Sequence, residues 1–179
     1  KLPARTDSAQ RAGWQELGGR VREADICIQG YRPGAIAQYG FSAEDAARLK
    51  PGIVCVSVCA YGHEGPWAGR RGFDSLVQNA DGLNVAEAVA AGASGSNPEP
   101  KPLPAQALDH ATGYLMAFGV MTALRRRVTE GGSWHVRCSL AQTGHWVRDL
   151  GRIDGGLTYL DPCFDDMRAL TEDRPSAFG

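Results

Sequence analysis

Apolar residues recur along this chain in two rhythms, and the switch between them divides it into helices and short strands. Residues 9 to 23 place Ala12, Trp14, Leu17 and Val21 at helical steps, with Ser8 in position to cap the first turn. The run Ala24-Asp-Ile-Cys-Ile-Gln29 then predicts a short strand, ended by the turn residues of Gly30-Tyr31-Arg32-Pro33-Gly34. A short helix over 35–39 and a better one over 42–50 follow, the second with Ser42 as cap and Asp45 three residues on. Pro51-Gly52 stops it. Ile53-Val-Cys-Val-Ser-Val-Cys59 is the strongest strand signal in the chain, a continuous run of the kind buried on both faces of a parallel sheet. Two strands joined through a helix predict a right-handed crossover, and in such sheets ligands collect beyond the carboxyl ends of the strands, here residues 30–34 and 60–69.

The fold class expected is therefore α/β, with parallel strands and crossover helices followed by a long helix. Residues 74–83 read as helical. From 86 to 104 the chain turns to Ala, Gly, Ser and Pro, which predicts a flexible, lid-like connection. In the long helix that follows, Ala111, Tyr114, Leu115, Phe118, Met121 and Leu124 recur at three- and four-residue steps and are expected to form its buried face. Ala117, Val120 and Ala123 fall between them and leave room for a second. Arg125 to Arg127 are expected in the last turn, and Gly131-Gly132 end the helix. Residues 133–139 alternate as a strand, 140–150 read as a helix containing Trp146, and 151 onward is irregular.

Composition narrows the function classes. A hydrophobic content of 43% with 22% charged residues describes an ordinary globular protein. Nineteen basic against twenty acidic residues leave no field to gather nucleic acid or an anionic membrane, so any anionic ligand must be held by local groups. No run approaches the roughly 20 apolar residues of a membrane span, and a cytoplasmic location is expected. Of five cysteines, Cys27, Cys55, Cys59 and Cys138 lie in apolar or strand-like runs and read as buried thiols. Cys55 and Cys59 are wrongly spaced for a zinc knuckle, and no metal site is expected. The sequence opens on Lys1-Leu-Pro3 and closes on Phe178-Gly179 without a final element, so it is expected to be a piece of something longer.

Two stretches carry candidate chemistry. Asp109 stands at the mouth of the long helix. Its carboxylate either caps the first free amides or, with the small residues Ala111, Thr112 and Gly113 leaving space for a substrate, acts as a covalent nucleophile. The loop from Ala60 to Ser75 holds Gly62, Gly65, Gly69 and Gly72, the aromatics Tyr61 and Trp67, the pair His63-Glu64, and Arg70-Arg71. It reads either as a solvated surface loop or as a backbone that approaches a ligand closely, with arginines for phosphates. A nicotinamide-binding reading lacks its Gly-x-Gly-x-x-Gly motif.

Taken together, residues 24–36, 50–62, 65–74 and 108–127 resemble the family III CoA-transferases, also called the CaiB/BaiF family, which includes formyl-CoA transferase and α-methylacyl-CoA racemase. The pieces include Gly30-Tyr-Arg-Pro-Gly34, Gly65-Pro-Trp67, Arg71-Gly-Phe-Asp74 and Leu108-Asp-His-Ala-Thr-Gly113, in the family's order and over roughly residues 10 to 150. The resemblance implies part of a Rossmann-like large domain. It divides the chain into an α/β part over 1–85, the connection over 86–104, a catalytic helix, strand and helix over 105–150, and a segment over 151–179 leading toward a small domain. It implies longer parents that form interlocked homodimers, and a piece inactive alone.

The resemblance also implies coenzyme A, bound as an acyl-CoA thioester, no metal, and a carboxylic acid as second substrate. Asp109 falls on the family's catalytic aspartate. Tyr31 matches an aromatic lining the nucleotide pocket and Arg71 a basic residue beside the CoA phosphates, with Arg32 and Tyr39 as further candidate contacts. Gly30 stands where an asparagine is usual, and Gln38 where an arginine often binds the nucleotide. In the racemase branch a histidine works with the aspartate; Phe73 occupies its place, so transfer is preferred. Racemisation of a 2-methylacyl-CoA, or a non-catalytic subunit that binds a CoA ester or assembles with a partner, remain the alternatives.

Overall fold

A computed structural model describes residues 11–153 and 163–173. Three parallel strands, β1 (Ile26–Gln29), β2 (Val54–Cys59) and β3 (Trp134–Ser139), form one sheet in the order β1-β2-β3. Helices α1 (Arg11–Glu23) and α2 (Ala43–Leu49) pack on one face. The long helix α5 (Ala107–Glu130) covers the other, and α3 (Asp74–Ala80), α4 (Leu83–Ala90) and α6 (Leu140–Asp149) complete the chain as far as the described residues of that part reach. A four-residue helix α7 (Phe164–Met167) and a 3₁₀ turn (Arg168–Leu170) lie within the segment expected to be irregular. Ser8 lies outside the described residues. Among those described, no helix is long and apolar enough to cross a membrane.

Register sorts the side chains. Ile26, Val54 and Trp134 are in line, as are Ile28, Val56 and Val136; all but the half-exposed Ile28 pack together under α5. The alternate rows, Cys27-Cys55-His135 and Gln29-Ser57-Arg137, face α1 and α2. β2 is central, and Ile53, Val54 and Val56 are wholly buried, which is why its sequence is a continuous apolar run while β3 alternates. Ser42 caps α2 as expected: its hydroxyl accepts the Asp45 N–H at 3.1 Å while the Asp45 carboxylate accepts the Ser42 N–H. All five cysteines are free, Cys55 is buried, and desolvation pushes its thiol up to about 11.

Four expectations are corrected. The helix expected over 74–83 is two helices broken at Asp81-Gly82, where Gly82 adopts φ 85°. The second of them carries through residues 86–90, so the extended connection starts later than expected. In α5, Tyr114, Phe118 and Met121 of the expected face are exposed; Leu124 does lie on the sheet, together with Val120 and Ala123 from the second row and with Met116, which neither row contained. Finally, α5 runs on to Glu130, leaving only Arg127 of the three arginines in its last turn.

Arg127 also fixes where the other end of α5 falls. Its guanidinium donates to the Asp25 carboxylate and the Gly52 carbonyl, both at 3.1 Å, pinning the helix beside the strand starts. From there to Asp109 the helix rises about 27 Å at 1.5 Å per residue. β2 advances only about 17 Å from end to end. The start of α5 therefore projects past the carboxyl edge of the sheet.

Candidate active site at the start of the long helix

The cap of α5 is Gln106, whose side chain makes no capping bond, so Asp109 is not the cap but the third helical residue. Its backbone N–H is claimed from outside the helix, by Asp74 Oδ2 at 2.7 Å. Asp74 is 2% exposed and opens α3; its other oxygen accepts a short hydrogen bond from Gln78 Nε2 one turn on. Gln78 in turn donates to the Ala105 carbonyl at 3.2 Å and accepts from the Leu103 N–H at 3.4 Å. The segment entering α5 is thus tied to α3 at residues 103, 105 and 109. The Asp109 side chain is exposed, and its carboxylate takes no hydrogen bond from any described residue. Partial desolvation raises its pKa first and the nearby Asp74 charge second, while His110 opposes both.

One side of this first turn is packed firmly and the other is open. Leu108 sits among Val77, Leu83 and Leu140, with Tyr61 and Ala141 against them. One turn on, Thr112 and Thr143 share a hydrogen bond of 2.7 Å, and Thr143 donates to the Ser139 carbonyl, so Thr112 supplies the proton between them. On the open side, Gly113 stands one turn above Asp109 and a Cβ there would meet nothing within 4 Å. His110 and Tyr114 beside it are exposed. The space that the small residues led us to expect therefore comes from Gly113, whereas Thr112 is buried on the opposite side.

The glycine-containing loop closes back on itself: a Cβ on Gly72 would come within 2.7 Å of Ala60 Cβ and 2.8 Å of the Tyr61 ring. Only a residue without a side chain lets the end of the loop lie against its start and deliver Asp74. Several of its ornate residues are spent on structure. His63 donates to the Cys138 carbonyl at 3.2 Å, and Glu64 pairs with Arg137 at 3.1 Å. Arg70 lies over Trp67, which meets Tyr61 edge to face. Arg71, three residues before Asp74, is exposed and has no partner among the described residues. A cleft of about 330 Å³ opens between Tyr61, Trp67, Val77, Asp81 and Ala141.

The other predicted contacts gather at the exit of β1. Tyr31 and Arg32 are exposed there. Gln38 bonds the Ala35 carbonyl at 2.9 Å, and Tyr39 stacks on Trp14 with ring centroids 4.2 Å apart, so one face of Tyr39 is already covered. A second cleft, about 240 Å³, lies behind this loop between Gln29, Ser57, His63, His135 and Arg137; none of the four residues lines it. Among the described residues no hydrogen bond or ion pair joins them to Asp109, and Asp109 lines neither cleft. Phe73, in the place of the racemase histidine, is exposed at the cap position of α3. No group of three or more metal-ligating side chains occurs among the described residues.

Neither Asp74 nor Gln78 has a role assigned by the sequence pattern alone. The available signal was an acid two residues after the glycine that ends a loop, at the first position of a helix, followed four residues later by Gln.

The family model described as CoA-transferase family III matches residues 7–150. Among curated proteins, the chain is 30% identical over 145 residues to the acetyl-coenzyme A transferase nodX of Hypoxylon pulicicidum, covering 78% of this chain and 24% of that protein. It is 27% identical over 154 residues to the acetyl-CoA:oxalate CoA-transferase of Acetobacter aceti, covering 86% and 34%. Among solved structures, a CAIB/BAIF family protein from Brucella suis superposes with a TM-score of 0.71 at 23% identity, over 88% of this chain and 40% of that one, a likeness of fold. The chain thus spans about a quarter to a third of these curated relatives' length.

Proposed function

The chain belongs to CoA-transferase family III, and from that premise we propose that it carries the nucleophile of a transferase that moves CoA from an acyl-CoA thioester to a carboxylic acid. The observation that carries this reading is the free, exposed carboxylate of Asp109 at the projecting end of α5. In the proposed cycle an Asp109 oxygen attacks the thioester carbonyl and expels CoA thiolate, leaving a mixed anhydride. The thiolate then attacks the Asp109 carbonyl, releasing the donor's carboxylate and forming an enzyme thioester. The acceptor carboxylate attacks that thioester, again expelling thiolate, and the thiolate attacks the acceptor's acyl carbon to give the new acyl-CoA and free Asp109. Every intermediate remains an activated acyl group, so the thioester's free energy is not lost to water.

Arg71 is the contact best supported for the CoA phosphates, because it has no partner among the described residues and stands three residues before Asp74. Tyr31 and Arg32 remain candidates at the β1 exit, whereas Gln38 and Tyr39 are weakened by their bonds within the chain. Racemisation is disfavoured because Phe73 cannot carry a proton and the His63 Nε2–H is held by a carbonyl. An interlocked homodimer and a cytoplasmic setting belong to the same proposal for the longer protein. Incubation of the full-length protein with acyl-CoA and hydroxylamine, followed by mass spectrometry of the Asp109 peptide, tests it. A hydroxamate at Asp109 that disappears in Asp109→Asn is expected; undiminished CoA exchange by that variant refutes the reading.

A further inference from the structure

We propose that Asp74 is a positioning residue for Asp109: by taking the Asp109 backbone N–H it locks the first turn of α5 and leaves the Asp109 carboxylate without a structural duty. This deepens the reading of Asp109 as nucleophile and rests on it.

Burial and bonding point the same way. A carboxylate that is 2% exposed is costly unless both oxygens are bonded, and no cation among the described residues forms an ion pair with Asp74. Its oxygens are divided between two donors, Gln78 Nε2 and the Asp109 N–H. An ionised carboxylate serves both because it only accepts; asparagine in the same pose would turn an NH₂ toward one of them. Gln78 cannot simply reverse its amide in response. Its oxygen already accepts from Leu103 and its nitrogen already donates to Ala105. The whole arrangement therefore converges on the three points that place the entry of α5.

Without Asp74, the third-position amide of α5 would be open, and the nearest carboxylate able to bend back toward the first turn is that of Asp109 itself. The charge on Asp74 has a second consequence, since it helps to raise the Asp109 pKa and so makes its carboxylate more basic. The charged groups that face Asp109 are Asp74 from α3 and His110 on its own helix. From α6, the neighbour that meets the start of α5 is the uncharged Thr143, while His145 and Arg148 act on Asp81 instead.

The test uses the full-length protein without acyl-CoA, with a water-soluble carbodiimide as the probe because it modifies protonated carboxyl groups. Labelling of the Asp109 peptide is followed against pH by mass spectrometry in the wild type, Asp74→Asn and Asp74→Ala. In both variants the labelling midpoint should move to lower pH, and in Asp74→Ala exchange of the Asp109 amide should quicken by about tenfold or more. A folded Asp74→Asn whose midpoint matches the wild type overturns the proposal. Should both variants fail to fold, amide exchange in the wild type decides: an Asp109 amide no slower than that of Ala107 also overturns it. Because no thioester is present, failure of Asp109 to form an acyl-enzyme leaves this result unaffected and refutes only the nucleophile reading.

Discussion

A carboxylate in the first turn of a helix ordinarily finds employment there, accepting amides that have no intrahelical partner. Asp109 escapes because a second carboxylate has taken its own amide. Raising an acid's pKa in the folded state has a definite sign. Above the raised value Asp109 is charged in both states and its charge destabilises the fold; below the ordinary value of 3.8 it is neutral in both and the cost is gone. Asp109→Asn should therefore melt higher than the wild type at pH 7, with the gap closing as pH falls through the raised pKa toward 3.8. Paired thermal melts at pH 7 and in acid check this, and a gap that instead widens in acid means that the carboxylate is stabilised rather than strained. A gain in stability on removing the proposed nucleophile would be the usual exchange at a reactive site.

At the scale of elements, the strands were legible because β2 is covered on both faces, and only a continuous apolar run survives there. The existence of α5 was equally plain, but its orientation was not. Apolar residues surround much of that helix, so periodicity gives no unique direction, and the largest ones, Tyr114, Phe118 and Met121, turned out to face away from the sheet. What favours the observed face is one close approach: a Cβ on Gly119 would stand 2.7 Å from Val136 Cγ1, so the helix can lie this near β3 only where position 119 has no side chain. Gly119→Ala should accordingly cost about 1–3 kcal/mol through overpacking, despite alanine's better helix propensity, and Val136→Ala in the same chain should recover part of it. Urea unfolding of the single and double variants measures both. The α5 to α6 contact offers a second test. Thr143→Val strands the buried Thr112 hydroxyl and should cost about 1–3 kcal/mol, whereas adding Thr112→Val removes the orphaned donor and should restore much of the loss. The Asp74 to Asp109 bond was beyond sequence reasoning for a different reason: it joins residues 35 apart, across two helices and the connection, and Asp74 is placed by a loop whose closure depends on Gly72.

On the scale of the whole molecule, the outer side of α5 is an apolar surface with no cover among the described residues. Tyr114, Phe118, Met121 and Val128 follow one another at three-, four- and seven-residue steps and are each more than half exposed, Tyr114 to 79% and Val128 to 83%. A ridge of that kind is unusual on a surface that meets only water. The relatives provide a physical reason, since this chain spans only about a quarter to a third of their length, and the additional length of a relative-sized chain is the expected cover of the ridge. The two settings then respond oppositely to one substitution. In the 179-residue chain alone, Phe118→Glu should improve solubility and lower the binding of a hydrophobic dye while leaving the melting temperature nearly unchanged, because no core contact is lost. In the full-length protein the same change places a charge in a covered apolar contact and should cost several kcal/mol, about 3 or more, unless the glutamate finds a partner. Equal and negligible effects in both settings would mean that the ridge stays bare, and the proposed covering would have to be abandoned.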